Sequence, residues 1–379
     1  MMALTGTPDG AALMCPAPLA TCADGVLLAL ESMVSPGCFG TLHGGQLLSE
    51  RAQIRDLKRN GHVSPGGACR LLETVDGALA VNLAREEDWA LLPAWLQAES
   101  VADWQQLSQL LKGQNTQHLV DRARLMGLAV SADSPVRKTP VPWFSEMVTG
   151  KPRVGSSPLN PRVVDLSSLW AGPLCSRLLQ MMGAEVIKVE AAQRPDGARR
   201  GSTEFFARLN AGKQELSLDL HTPKGVQALR DLIKSADIVI EASRPRALRQ
   251  LGIDAEALVA AQPGLTWVSV TGYGRAQPQA DWVAFGDDAA VAAGLSALMF
   301  TATGERLIVG DAIADPLTGM HAALAAWSRH KRGTGGLLSL AMYDVVTHCV
   351  QHNSPKSDNR IRARFEAWMQ LATTEKEAA

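Results

Sequence analysis

No apolar run in this chain of 379 residues approaches the roughly 20 that a bilayer-spanning helix needs; charges or glycines interrupt each one, so a membrane protein built on such helices is not expected. Net charge is missing too. With 37 basic and 38 acidic residues there is no electrostatic case for nucleic acid or an anionic membrane as the main partner, and any anion site must be local. Cysteine is sparse and scattered: Cys15, Cys22, Cys38, Cys69, Cys175 and Cys349 form no CxxC pair, so neither a zinc site nor a disulfide framework is indicated, and reduced thiols in a cytoplasmic protein are the expectation. The opening MMALTGTPDGAALMCPAPLA has no basic stretch before its weak apolar patch, which argues against a secretory signal. Several chemical signatures are absent as well. GTGG at 333–336 is followed by no Lys-Ser/Thr, no GxGxxG stands after a strand, no GxSxG or HExxH occurs, and the eight histidines show no metal spacing. Triphosphate hydrolysis, a standard dinucleotide site and metal chemistry are all disfavoured.

What is present is a complete strand, turn, helix and second strand in RVVDLSSLWAGPLCSRLLQMMGAEVIKVE, 162–190. Val163 and Val164 start a β-branched run; Ala171, Gly172 and Pro173 make the turn, with proline where a first helical turn tolerates a missing N–H. Leu174, Leu178, Leu179 and Met182 recur at helical spacing, and Gly183 sits where a helix-ending glycine belongs. Such a βαβ unit presents backbone N–H groups at the carboxyl edge of a parallel sheet, where an anion can be held.

A chain of this length most naturally forms two domains, or one large α/β body with a lobe. Residues 1–60 give the weakest signal, a short apolar segment at Val26–Leu30, a loop and an amphipathic basic stretch. Residues 61–132 predict a small α+β lobe: a β-hairpin turning at Asp76-Gly77, then helical faces at Trp89, Leu92, Trp95 and Leu96, at Leu107, Leu110 and Leu111, and at Leu119, Ala123 and Met126. Six prolines in the next thirty residues give 133–161 the composition of an extended linker. The large domain, 162–350, continues with LSLDL, a helix from Pro223 capped by Thr222, DIVIEA, TWVSVTGYG, one small-residue helix in FGDDAAVAAGLSALM, and a long helix entered at Asp315-Pro316 that stops near Gly333. Strands alternating with helices of about a dozen residues predict a parallel sheet covered on both faces. Residues 351–379 read as a charged, frayed tail.

Asp287 and Asp288 open a helix, a position that stabilises an ionised carboxylate able to act as a nucleophile, although aspartate in a first helical turn is also ordinary capping. Arg244, Arg246 and Arg249 follow a strand at the edge where ligands bind in open α/β sheets, or form a solvated basic turn. Lys213, after a glycine in a loop, could meet a phosphate as a point charge, or simply be exposed.

The order VVDLSSLWAGPLCSRLLQMMGAEVIKVE, LNAGKQELSLDLHTPKG, IVIEASRPRALRQLGID, VSVTGYG and GDDAAVAAGL, across about 162–346, resembles the class III CoA-transferases, a family that includes formyl-CoA transferase, carnitine CoA-transferase and the α-methylacyl-CoA racemases. The resemblance implies a Rossmann-like parallel-sheet large domain, a smaller lobe and an interlinked homodimer. It implies as substrates an acyl-CoA and a small carboxylic acid, with no tightly bound cofactor. CRLLETVDGALAVNLAREEDWALL and HLVDRARLMGLAV look like small-domain text that normally follows the large domain, so the chain resembles a circularly permuted form or one phase of a tandem fusion. By the same resemblance Asp287, or Asp288 if the register is one later, is the catalytic aspartate that forms a mixed anhydride and then a CoA thioester. Arg244 falls near the CoA, Lys213 near its adenosine and phosphate end, and Leu169, Ala171 and Gly172 on the turn lining the CoA channel.

The chain departs from that pattern at several places. Gly286 stands where the racemases have a histidine, which disfavours racemisation. Ala211, Gly212 and Gln214 flank Lys213, so two expected positive charges are missing; Ala242 replaces the usual asparagine, and no glycine-rich lid loop is found. An acyl-CoA racemase or isomerase, and a non-catalytic member that binds acyl-CoA or a related subunit, remain as alternatives to CoA transfer.

Overall fold

The computed structural model describes residues 2–352, 355 and 357–378, with side chains of the last helix as far as residue 372. The chain begins with α1 (Leu19–Glu31), α2 (Gly44–Leu47) and α3 (Glu50–Ile54), then enters the hairpin β1 (Cys69–Glu73) and β2 (Ala78–Asn82), which is antiparallel. Three helices, α4 (Glu86–Leu96), α5 (Trp104–Leu111) and α6 (Thr116–Leu125), lead to β3 (Ala129–Ala132), which completes a three-stranded antiparallel sheet in the order β1-β2-β3.

The large sheet starts with β4 (Ser145–Thr149). There follow β5 (Arg162–Asp165), α7 (Ala171–Met181), β6 (Glu185–Ala191), α8 (Thr203–Asn210), β7 (Gln214–Leu218), α9 (Pro223–Lys234), β8 (Ile238–Glu241), α10 (Pro245–Gln250), α11 (Ala255–Ala261) and β9 (Thr266–Thr271). After them come α12 (Gly286–Ala292), α13 (Leu295–Thr303), α14 (Ala314–Arg332), β10 (Gly336–Ala341), α15 (Met342–Gln351) and α16 (Asp358–Ala378). The strand order is β4-β10-β9-β8-β5-β6-β7; all pairs are parallel except β4 with β10. The chain lays strands outward from β5 through β6 to β7, then returns to the other side of β5 with β8. Carboxyl ends of β5 and β8 therefore flank the place where strand order reverses, the usual ligand crevice of open α/β sheets.

Successive strand residues feed opposite cores, as the two-residue repeat of a strand demands. Val163, Ile238, Ile240, Val268 and Leu338 face a cluster shared with α1, α7 and α14, while Val164, Val239, Trp267 and Leu337 face one built with Leu229, Ile233 and Val259 of α9 and α11. Each fully buried aliphatic side chain of this kind contributes about 1.5–3 kcal/mol. The three-stranded sheet is also covered on both sides: Leu79 and Val81 pack with Leu92, Trp95, Leu107 and Leu119, whereas Cys69, Leu71 and Ala80 meet Val291 of α12 and Ile308. The helix carrying the two aspartates is thus held between the small sheet and helices α14 and α15.

Several expectations need correction. Residues 1–60, the segment of weakest signal, join the main body: α1 packs on α14 within the main core and Arg177 pairs with Glu50 at 2.8 Å. The basic stretch after Ser49 is helical only over Glu50–Ile54. Residues 133–161 include an edge strand, β4, whose largely exposed face left no apolar pattern to read. The small-residue helix is two helices, broken at Gly294, where φ is +98°. The tail is helical as α16, anchored by buried Ile361, with the Arg362 guanidinium donating to the Thr301 carbonyl. No helix among the described residues is long and apolar enough to cross a membrane.

Candidate functional site

Two buried lysine–aspartate pairs build the β5–α7 turn from below. Asp165, the last residue of β5, accepts from the Ser167 N–H (3.0 Å), from the hydroxyls of Ser167 and Ser176, and from Lys213 Nζ (3.3 Å). Lys188 Nζ donates to Asp196 Oδ2 (2.9 Å) and to the Ser167 carbonyl (3.1 Å), and Asp196 Oδ1 accepts the Leu169 N–H (2.9 Å). Burial alone would raise the Asp165 carboxyl, but Lys213 and Lys188 outweigh it and hold its pKa below the usual value. On this frame Leu169 is held at φ +71°, a conformation unfavourable for a residue with a side chain, and 41% of it is exposed. At position 172 only glycine fits, since a Cβ there would lie 2.2 Å from both Cβ and Oγ of Ser167. Leu169, Ala171 and Gly172 therefore stand together at the crevice.

Lys213 is elsewhere in function. Its ammonium is wholly buried, donating to Ser176 Oγ (2.7 Å), Asn210 Oδ1 (2.9 Å), the Pro173 carbonyl (3.0 Å) and Asp165, so four protein oxygens compete for three N–H bonds. The expectation of a phosphate-facing point charge gives way to a structural role, because no donor is left to point outward. Arg244, by contrast, is only partly buried and precedes α10, close to Arg246, Arg85 and Arg194. Burial and then these like charges lower its pKa, the response of a guanidinium held in a basic cluster.

The two candidate aspartates differ in their commitments. Asp288 is completely buried; its Oδ1 accepts from the Phe285 N–H (2.8 Å) and Asn82 Nδ2 (3.1 Å), and Ser131 holds its carbonyl, so it caps α12 and fastens the helix to the small sheet. Asp287 is 6% exposed and accepts the Ala312 N–H at 2.7 Å. Burial, reinforced by Asp311 and opposed by Arg51, pushes the Asp287 carboxyl up to about 7. Burial likewise drives Asp288 to about 8 against the Phe285 N–H and Asn82.

Three residues around Asp287 were not legible as a site. Arg51 of α3 grips Asp311 with Nε (2.7 Å) and Nη2 (2.5 Å) and lies over the Trp170 ring at 5.2 Å. Asp315, read from sequence as a helix entry, brings its Oδ2 within 2.2 Å of where a Cβ on Gly286 would stand. Burial raises the Asp315 carboxyl to about 6, with Arg51 and the N–H groups of Ala171 and Gly286 pulling the other way. Asp315 thus links the β5–α7 turn to the start of α12, bringing Ala171 and Asp287 into one neighbourhood. A span of 260 positions separates Arg51 from Asp311, and no local pattern announces such a pair. Among the described residues no group of His, Cys, Asp or Glu is arranged to hold a metal ion.

The model of CoA-transferase family III matches residues 160–367, more than half of the chain. The chain belongs to this family. It is 31% identical over 208 residues to succinyl-CoA--D-citramalate CoA-transferase of Chloroflexus aurantiacus, covering 52% of this chain and 51% of that one. It is also 31% identical over 196 residues to formyl-CoA:oxalate CoA-transferase of Rhodopseudomonas palustris, covering 49% and 46%. This family III chain spans about half the length of the curated relatives it matches. A crystal structure of Rv3272 from M. tuberculosis is 33% identical over 50% of this chain and 55% of that one, with a TM-score of 0.45.

Proposed function

We propose that the protein transfers coenzyme A from an acyl-CoA to a carboxylic acid, with Asp287 as nucleophile. The observation that carries this reading is the difference between the paired aspartates: Asp288 is spent on capping, while Asp287, though buried, has a single backbone donor and no capping role. An Asp287 carboxylate oxygen attacks the thioester carbonyl, the C–S bond breaks, and CoA leaves as thiolate with a mixed anhydride on Asp287. The thiolate then attacks the aspartyl carbonyl, the acyl group departs as its carboxylate, and an aspartyl-CoA thioester remains. The acceptor acid runs these steps in reverse. The turn at Leu169, Ala171 and Gly172 forms one wall of the CoA channel, and Arg244 supplies charge toward the CoA phosphates. CoA is a substrate here, not a resident cofactor.

In this reading the large domain is Rossmann-like, with the small lobe placed before it in a permuted order. The assembly is an interlinked homodimer in the cytoplasm, with no nucleic acid or membrane as partner. A second reading, a non-catalytic member that binds acyl-CoA or a related subunit, draws on the wholly internal bonding of Lys213 and the neutralising burial of Asp287. The racemase alternative has no support at position 286, where contacts as close as 2.2 Å leave no room for a histidine.

The test incubates the full chain with succinyl-CoA, other acyl-CoA esters and a panel of acids, traps with hydroxylamine and maps peptides by mass spectrometry. Modification at Asp287, and loss of exchange in Asp287→Asn, are expected. Turnover with Asp287 unmodified and an active Asp287→Asn would overturn the reading, and calorimetric binding of CoA esters without exchange would select the second.

A further inference from the structure

At the carboxyl ends of β9 and β10 the small lobe closes over the large sheet and leaves a cleft of about 570 Å³, a size ordinary for a small-molecule site. Asp287 is not among its lining residues. Arg124 comes from α6, Tyr273 and Trp282 from the segment after β9, Arg137 from beyond β3, and Asp344 from α15.

Arg124 lies over the Trp282 ring, its guanidinium carbon 3.7 Å from that ring centre and 5.3 Å from the centre of Tyr273, whose ring meets Trp282 edge-on. Stacking of this kind uses the face of the guanidinium and leaves its N–H edge for an acceptor. That acceptor is missing from the protein. Arg124 Nε and Tyr273 Oη are both buried without a hydrogen-bond partner, the Tyr273 hydroxyl lying near Arg124 and Ser131 but outside bonding geometry, and a buried donor left unmet carries a desolvation penalty that a ligand oxygen would relieve. The neighbouring Arg275 is in the opposite condition, saturated by Glu241, by Glu256 (3.2 Å) and by Ser269 Oγ (2.9 Å). Once Arg275 is neutralised in this way, Arg124 and Arg137 face the single carboxyl of Asp344, and the cleft retains an excess of positive charge. Two unmet donors, excess positive charge and a position at the carboxyl edge of parallel strands share one complement, an oxyanion.

We propose that this cleft binds a small organic anion, a carboxylate or a phosphate ester, whose oxygens take up the free edge of Arg124 and the hydroxyl of Tyr273. The site is separate from Asp287 and requires no chemistry there, so it stands whether or not the protein transfers CoA.

Isothermal titration of the full chain at low ionic strength with succinate, inorganic phosphate and coenzyme A, each alone, tests this. At least one probe should bind at millimolar concentration or below, and Arg124→Gln should weaken it about tenfold or more, the loss expected for a charge-assisted bond. Tyr273→Phe should weaken the same probe while leaving the melting temperature of the free protein unchanged or higher, because it deletes a hydroxyl that has no partner. A merely structural tyrosine would instead lower the melting temperature and spare binding. Succinate without phosphate marks a carboxylate site; phosphate or coenzyme A without succinate marks a phosphoryl site. No heat from any probe, or affinities unchanged in both variants, would overturn the proposal.

Discussion

Replacing Asp288 by asparagine should change how stability depends on pH far more than it changes stability in acid. The wild-type carboxyl has an ordinary pKa of 3.8 in the unfolded chain and about 8 in the fold, where burial outweighs the Phe285 N–H and the Asn82 amide. Between these values the native state holds a proton that the unfolded state has released. Stability from this group is therefore fully present below pH 4 and declines as pH rises toward 8. Integrating over about pH 5 to 8 gives a loss on the order of 4 kcal/mol, a large fraction of a typical folding free energy. Asparagine keeps an oxygen for Phe285 and Asn82, while Oδ2, which has no partner in the native protein, is replaced by an amide. The two proteins should have similar urea midpoints near pH 4, and Asp288→Asn should be clearly the more stable at pH 8. A weaker decline should persist in the variant, since Asp287 and Asp315 are shifted in the same direction. Parallel pH dependences for the two proteins would refute the claim that Asp288 is buried as its neutral acid.

Two further outcomes follow from the β5–α7 turn. Lys213→Met removes a buried ammonium from Asp165 and should cost about 3–5 kcal/mol in urea unfolding, without altering the salt dependence of CoA binding; an unchanged midpoint with weaker, less salt-sensitive binding would restore the phosphate contact. Gly172→Ala drives a Cβ into Ser167 and should cost about 1–3 kcal/mol or more by overpacking, seen as a lower melting temperature; an unchanged melting temperature would mean that the turn is softer than its contacts imply.

Whatever rests on local period or chain chemistry was legible in the sequence. Val163-Val164, Ile238-Val239-Ile240 and Leu337-Leu338 read as buried strands because both sheet faces are covered, and Thr222 was identifiable as a cap that accepts from the Gly225 N–H. Asp287 and Asp288 could be picked out as a pair, but only the contacts of Asn82 and Ala312, over 200 positions before and about 25 after, divide them into a cap and an acid free of capping. β4 escaped notice because an exposed edge strand has no apolar face, and α16 because its anchoring reduces to few buried groups such as Ile361. Lys213 was misjudged for a physical reason: a lysine after a loop glycine looks solvated until Asp165 and Ser176, 48 and 37 positions earlier, join nearby Asn210 around it. Arg51 and Asp315 are invisible for the same reason, since a charge acquires its role from partners that sequence spacing does not encode.

The turn and the aspartate are held by opposite electrostatic strategies. Around Leu169 and Gly172 the charges are buried in pairs, a construction that is weak evidence for stability but fixes geometry here, because Asp165 and Asp196 spend their remaining lone pairs on the Ser167 and Leu169 N–H groups. Despite its burial, the Asp165 carboxylate is held below its usual pKa by Lys213 and Lys188 and stays ionised throughout the neutral range. Asp287 has no cation of its own; Arg51 is committed to Asp311, so burial prevails and the carboxyl titrates at about 7. The wall of the crevice is therefore set before any ligand arrives and does not respond to neutral pH, whereas the group proposed to react is half protonated there. A partner surface that brings positive charge beside Asp287 would lower its pKa and ionise it, whereas an anionic ligand on its own would raise it further, as Asp311 and Asp315 already do.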